Sequence, residues 1–562
     1  MNTKSFKEWI FRKRWLENKS YLSDFDFSIS LDHYEKITRK ILFCIVKIQK
    51  GTYQQKYFTP FVVSSNLNEF ISTNKDEAET LSNPHIFNLN SMDSKIREGL
   101  ETKFFIEGEY NLRFWKFIMQ SIKKESKRSK SSISFRRYSE KKLSEITSLI
   151  RGNYEEKTKK SFSTSSIAQI GHGNTTNILF KFTKALNKEK SKSNSYLFKF
   201  YKKYEKNIEP QILHILKKNN FRESPSLYGE FILENVALLC ILDYIPNDGN
   251  IGSIFWFEIN NFLEVLIKSY GKSKSNKNAN FFKNKLNQCC ARSRFIAKEI
   301  GYKIKGLHKA LIEENMEKFR PKKIKKSKFL DDYTSVLENL IDQIVNHFKD
   351  KSKLYYEFLE KKHIIHLLKE CRKKMLQICK RVDEKLIRIQ RIHQDLHMEQ
   401  ILYKRKETMG SNSSELSYNY YFLDFEGDPQ FSYKKKNSLF PVERDLASLS
   451  RSLSYIKFNA FKNNLHLINS QLDAEHKKLR KLYYLIFHSE ALEEQKELQE
   501  IKFLLDGWEK KMQKNIITNY QIELDLFNFF TIERILRELA YEIKYRPKNI
   551  MIPIFGLKKT IA

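Results

Sequence analysis

An α+β chain is the fold class this sequence predicts, and two observations carry the expectation. Up to Pro246 the apolar residues fall in short alternating runs such as KILFCIVKIQK and QKYFTPFVVSS, which read as strands. From Asn247 onward helical patterns dominate: Leu337, Leu340, Ile341, Ile344, Val345 and Phe348 form an apolar stripe with a period of about 3.6 residues. At 562 residues the chain exceeds what one core normally holds, so two or three domains are expected.

Taken in order, the first segment, 1–160, mixes a Trp-rich opening, EWIFRKRW, with strand-like runs, and reads as a small separate cap domain with a basic insertion. Residues 161–248 have the pattern of a nucleotide lobe. There QIGHGNTTNILFKF is a hairpin-like turn, SYLFKFYKK is a strand carrying Lys199, EPQILHILKKNN is a short amphipathic helix, and CILDYIPNDGN closes the lobe at a Pro/Asn/Gly turn. Residues 249–562 form a mainly helical lobe, with one short hairpin around the segment from RIHQDLHMEQIL to YYFLDFEGDP.

The bulk properties narrow the function classes. With 41% hydrophobic and 14% aromatic residues, a packed core is attainable. No run reaches the roughly 18 uncharged apolar residues of a membrane span, and FILENVALLCILDYI carries Glu234 and Asp243. The charged opening is not a secretory signal, so a cytoplasmic protein is expected. Six cysteines without C-x-x-C or zinc spacing read as reduced thiols. The net charge of +35 thickens in KKESKRSKSSISFRR from Lys123, NKEKSKSNS from Asn187, GKSKSNKNAN from Gly271 and RPKKIKKSK from Arg320, which read as solvated loops. No dedicated nucleic-acid site is expected from charge spread in this way.

The chemistry concentrates late in the chain. Asp395 and Gln400 stand five residues apart on an expected loop, and Asp424 ends an apolar strand-like run. Phosphoryl transfer needs one carboxylate to accept a hydroxyl proton, and a second carboxylate with a side-chain amide to hold magnesium. Asp395 fits the first role, Gln400 and Asp424 the second. Lys199, in mid-strand, has the place of a lysine that touches ATP phosphates; the alternative is a solvent-facing strand lysine. Gly171, Gly173 and Asn174 offer a tight turn with backbone N–H groups for phosphates, although GHGNTTN is neither GxGxxG nor a P-loop. In PVERDLASLSRSLSYI, Asp445 lies near a helix start and can hydrogen-bond the catalytic loop or simply cap the helix.

These segments resemble the bacterial maltokinases, within the aminoglycoside-phosphotransferase-like kinase fold. HQDLHMEQILY is similar to that family's HGDxHLGQVL, LDFEGDP to its LDFEGEP, and PVERDLASLSRSLSYI to its conserved helix. EWIFRKRWLENKS and LRELAYEIKYRPKNIMIPIFGL resemble its two ends, so the likeness runs in order from Trp9 to Leu557. The resemblance implies a bilobal protein-kinase-like fold with an N-terminal cap domain. It implies ATP and Mg2+ as cofactors and transfer of the γ-phosphoryl to the anomeric hydroxyl of maltose, giving maltose 1-phosphate for glucan synthesis. Trehalose synthase and a maltosyltransferase would be the functional partners. Glu538 and Arg546 become candidates for the acceptor sugar, and His393 a brace for the loop. His397 joins the acceptor group, and both it and Glu426 are candidates to lie near the metal.

Three departures stand out. The family's helix glutamate, which pairs with the strand lysine, is replaced by Leu213; Glu209, one turn earlier or about 5.4 Å away, is the substitute candidate. The catalytic-loop Gly is Gln394, and a C-terminal Trp has become Asn549. Two other readings remain. One is a kinase of the same fold acting on another sugar, an aminosugar or an aminoglycoside-like acceptor; the other is a non-catalytic protein binding ATP or polyanions.

Overall fold

The computed structural model describes residues 4–64, 85–88, 104–123, 132–151, 165–171, 177–184, 195–272, 279–350, 358–381, 385–406, 417–468, 474–487 and 496–561. They divide into two compact units, Met1–Lys217 with Pro225–Ile245, and Lys218–Ser224 with Pro246–Ala562. The first unit is built on sheet and the second on helix, as the two periodicities require.

Two antiparallel sheets organise the first unit. One has five strands in the order Ser28–Thr38, Ile41–Lys50, Tyr53–Ser64, Phe104–Glu107, Ile86–Asn88. The other has six, in the order Ile133–Arg137, Leu227–Leu233, Val236–Asp243, Ser195–Tyr201, Asn177–Lys184, Ser165–Ile170. Leu233 and Val236 pair across a two-residue turn whose Glu234 and Asn235 both have positive φ, 49° and 65°. Such a turn matches the twist of the flanking strands. Helix Leu112–Lys123 presents Phe114, Trp115, Ile118, Met119 and Ile122 along one buried stripe. Trp115 packs edge-on against Phe180, Phe198 and Phe200, with centroids 5.4, 5.0 and 5.7 Å away. Rings of this size in edge-to-face contact contribute beyond their buried area.

Two basic stretches depart from the solvated loops expected of them. Ile133–Arg137, within the run from Lys123, is the edge strand paired to Leu227–Leu233, so the six-stranded sheet takes a strand from the segment before residue 160. Arg136 binds Glu230 at 2.9 Å and Arg137 donates to the Ile122 carbonyl, which gives these cations local partners. Lys322–Lys325, within the run from Arg320, pairs with Leu386–Ile389, and Lys326 opens a helix. The NKEKSKSNS stretch lies almost wholly outside the described residues, as does the centre of GKSKSNKNAN.

In the second unit, helix Glu443–Ile468 packs against Leu524–Tyr545 and Ile251–Lys272. Helix Ala291–Ala310 crosses Lys496–Ile517 so closely that a Cβ on Gly301 would lie 2.1 Å from the Ile516 carbonyl oxygen. The hairpin Ile401–Arg405 with Tyr418–Phe422 is the short sheet that carries the loop of interest. No helix among the described residues is long and apolar enough to cross a membrane. All six cysteines are free, and four of them are buried.

Candidate functional site

In the sheet-built unit, Lys199 sits in the strand Ser195–Tyr201 between Leu179 and Cys240 of its neighbours. Its side chain is buried, which removes the solvent-facing alternative. Nζ reaches Glu209 Oε2 at 2.7 Å, and the Tyr201 hydroxyl donates to the same oxygen at 2.7 Å. The turn of displacement from position 213 does not prevent the pairing. Helix Glu209–Lys218 begins at Glu209 itself, whose backbone N–H is taken by Asn207 Oδ1, so the carboxylate at the helix start faces the strand. Leu213 is fully buried with the apolar residues of that helix. Gly171 follows its strand at φ +79° with open space around it, a conformation suited to glycine. Gly173 and Asn174 lie outside the described residues.

In the helical unit, the loop that carries Asp395 runs from Arg391 to His397 between a strand and a single 3-10 turn. Asp445, fully buried in the first turn of helix Glu443–Ile468, accepts the backbone N–H groups of His393 and Gln394, each at 2.8 Å, and His308 Nε2 at 3.0 Å. Burial alone would raise its carboxyl, but the bonds to His308 and His393 and the nearby His393 ring hold it below the ordinary value. His393 donates Nε2–H to the Leu423 carbonyl at 2.8 Å and packs on Phe425. It ties the loop to the hairpin. Gln394 has φ +74°, where a glycine would sit without strain. Its N–H is held by Asp445, its carbonyl by Arg444 at 3.0 Å, and its side-chain amide donates to the Lys436 carbonyl at 2.7 Å. Burial lowers the His397 imidazole below its usual range despite Asp395 nearby.

Gln400 and Asp424 meet. Gln400 Nε2–H donates to Asp424 Oδ2 at 2.9 Å, and the Leu423 N–H donates to the Gln400 carbonyl at 2.9 Å. Asp424 adopts φ +63°, a rare conformation for a residue with a side chain, as the chain leaves the strand. Because Gln400 uses its N–H on Asp424, its amide oxygen is the atom it presents to a cation. An amide oxygen beside a carboxylate is a hard-oxygen pair that fits Mg2+, which keeps several waters and takes few protein ligands. Glu426 follows in the same turn, half-buried.

Helix Leu524–Tyr545 supplies groups that the sequence reading missed. Arg534 Nη2 donates to Asp395 Oδ1 at 3.0 Å, and its Nε lies 3.6 Å from Glu538 Oε1. Burial disfavours the cation, yet Asp395, Asp428 and Glu538 outweigh it and raise the guanidinium further. Glu538 Oε2 accepts from Arg451 Nε and Nη2 at 3.0 and 2.8 Å. Arg444 spans Asp428 at 2.8 Å and Glu533 at 3.2 Å, and Arg537 also binds Glu533. Arg546 is half-exposed and bonds Glu542 at 2.8 Å, one turn back on its own helix. Of the two acceptor candidates, then, Glu538 is linked to Asp395 through Arg534, whereas Arg546 is engaged with Glu542. The i,i+4 spacing of Arg534 and Glu538 was the one visible signal.

No protein-family model matches the chain, and no curated protein sequence matches it. Solved structures of a sugar kinase share its fold. A glucosamine kinase in complex with glucosamine, ADP and inorganic phosphate superposes with a TM-score of 0.50 at 9% identity, covering 95% of this chain and 93% of that one. A second crystal form of glucosamine kinase gives the same TM-score, identity and coverage. The chain described here therefore has a kinase-like fold of mixed helix and sheet.

Proposed function

We propose that this chain is an ATP-dependent phosphotransferase whose acceptor is a neutral sugar hydroxyl, and that maltose, phosphorylated at its anomeric position, is that acceptor. The observation that carries the phosphotransferase reading is the loop of Asp395: Asp445 anchors its backbone, and Gln400 and Asp424 meet as an oxygen pair at the adjoining hairpin. In this reading Asp395 takes the proton of the acceptor hydroxyl as that oxygen bonds to the γ-phosphorus. The bond from phosphorus to the β–γ bridging oxygen breaks, and ADP leaves with the electron pair. Gln400 and Asp424 would hold Mg2+, which supplies charge neutralisation on the triphosphate. Lys199, oriented by Glu209 and Tyr201, would bind phosphate oxygens, with Gly171, Gly173 and Asn174 contributing backbone N–H groups.

Charge balance supports a neutral acceptor. Around Asp395 the carboxylates Asp428, Glu533, Glu538 and Glu542 are each paired with arginine, and Asp395 itself is paired with Arg534. Within these described pairs five carboxylates face Arg444, Arg451, Arg534, Arg537 and Arg546, so this cluster carries no surplus negative charge to recognise an ammonium group. The aminosugar bound in the neighbouring structure gives the competing acceptor class.

The test is ADP release by the full chain with ATP and magnesium across maltose, glucose, trehalose, glucosamine and an aminoglycoside, with the phosphorylated position read by NMR. Maltose-dependent turnover giving the 1-phosphate is expected. Preference for glucosamine would overturn the neutral-acceptor reading and keep the mechanism. No turnover on any acceptor, with ATP still bound, would favour a binding protein.

A further inference from the structure

The carboxylate read as the base is not held by its own loop alone. Arg534 reaches only one of its oxygens, Oδ1, and does so through Nη2 only. That restriction is informative, because the Nε–Nη2 edge of a guanidinium is a fork that normally takes both oxygens of a carboxylate at once. Here the Nε end of the fork lies toward Glu538, whose Oε1 is 3.6 Å away. Glu538 is fixed in turn by two bonds from Arg451 to its other oxygen, at 3.0 and 2.8 Å. Arg451 is backed by Ser454 Oγ at 2.9 Å and by the helix Met551–Ile561, where a Cβ on Gly556 would lie 2.8 Å from Nη1. Arg451 and Glu538 are both almost fully buried, so neither has water as a substitute partner.

Resting on Asp395 as the base, we propose that Arg451, Glu538 and Arg534 form an ion-pair relay that pins one oxygen of Asp395 and keeps the other available for the acceptor's proton. Glu538 is then a positioning residue and not a ligand of the acceptor. The physical need is plain. A carboxylate torsion is broad and roughly two-fold, whereas a general base must lie within hydrogen-bond reach of the proton it abstracts, about 2.6–3.2 Å. A misplacement of about 1 Å can cost about 100-fold in rate. A loose phosphoryl-transfer transition state depends mainly on positioning and electrostatics. Were Glu538 neutral, the fork of Arg534 would close over both oxygens of Asp395 and cover the atom that must take the proton.

The experiment is kinetics of the full chain, with saturating ATP and magnesium, for E538Q, R534K and the double variant on the best acceptor. Lysine offers a point charge without a fork. The relay predicts that E538Q lowers kcat by about 10–100-fold with little change in acceptor KM, and that the same change costs under about 3-fold when position 534 already carries the R534K substitution. An equal rise of acceptor KM in both backgrounds would make Glu538 an acceptor ligand and overturn the relay. Asp395→Asn separates the two levels: retained turnover in that variant sinks the base assignment itself, whereas its loss with additive E538Q and R534K effects sinks only the relay. Thermal midpoints give a readout free of turnover. D395N and E538Q should shift the midpoint non-additively when Arg534 is present and additively with R534K; additive shifts in both backgrounds would overturn the linkage.

Discussion

Two cation–carboxylate pairs, Lys199–Glu209 and Arg534–Asp395, differ in how the chain makes them. The first joins residues ten apart in sequence, from a strand and the helix that follows it, with Tyr201 on the same oxygen. The second joins residues 139 apart and continues through Glu538 to Arg451. In the proposed reading the lysine is the working group of the first pair and the glutamate orients it, while in the second the carboxylate is the working group and the arginine orients it. The comparison teaches that the Lys199–Glu209 pair is set by local chain geometry, whereas the Arg534–Asp395 pair is set by helix packing. The two should therefore fail differently under mutation.

The largest expected effect breaks the second pair at its working end. Asp395→Asn should lower kcat by about 1000-fold and spare ATP binding, measured by turnover alongside nucleotide titration. Next, Glu209→Gln should raise the KM for ATP and lower kcat by about 10-fold. Because Tyr201 and Lys199 both lose the charge of their shared partner, it should also lower the thermal midpoint; unchanged ATP kinetics would place Lys199 outside the nucleotide site. A pH experiment sharpens the contrast at the loop. Asp445 holds its proton less tightly in the folded chain than its ordinary value of 3.8, so the unfolded chain binds more protons as pH falls past that value. Its stabilising contribution is thus complete above about pH 4 and fades as pH falls through the lower folded value. Asp445→Asn should flatten the acid limb of the stability curve below about pH 4, followed by circular dichroism, while leaving the Lys199 side untouched. The smallest effect is expected of Gln394→Gly, which relieves a strained φ of 74° but removes the bond to Lys436. The two terms are each about 1 kcal/mol and oppose, so the unfolding midpoint should move little.

Much of the site was legible because it is short in sequence. Asp395, Gln400 and Asp424 lie within 30 residues, and a loop followed by a hairpin brings the last two to hydrogen-bond distance. Asp445 was legible as a residue near a helix start, and it does bond the loop backbone. The exchange of Leu213 for Glu209 was visible as a possibility, but its geometry depends on where the helix begins. Arg451 and Arg534 were not legible as members of the site, since their roles come from the packing of Glu443–Ile468 on Leu524–Tyr545. Lysine-rich stretches misled the fold reading at Ile133–Arg137 and Lys322–Lys325, where strand pairing prevails over composition. A count of charges does not reveal that an edge strand can keep its cations beside local partners while its backbone pairs on one side.

Gln394 ties two positions of the loop together. Its side chain bonds Lys436, and its amide oxygen lies 3.0 Å from where a Cβ on Gly427 would stand, on a backbone already at φ +75°. With glutamine at 394, a side chain at position 427 meets two obstacles, a positive φ and a contact closer than ordinary van der Waals distance. Glycine at 394 would remove only the second of them. The two positions are thereby coupled: the effect of a substitution at 427 depends on which residue is present at 394.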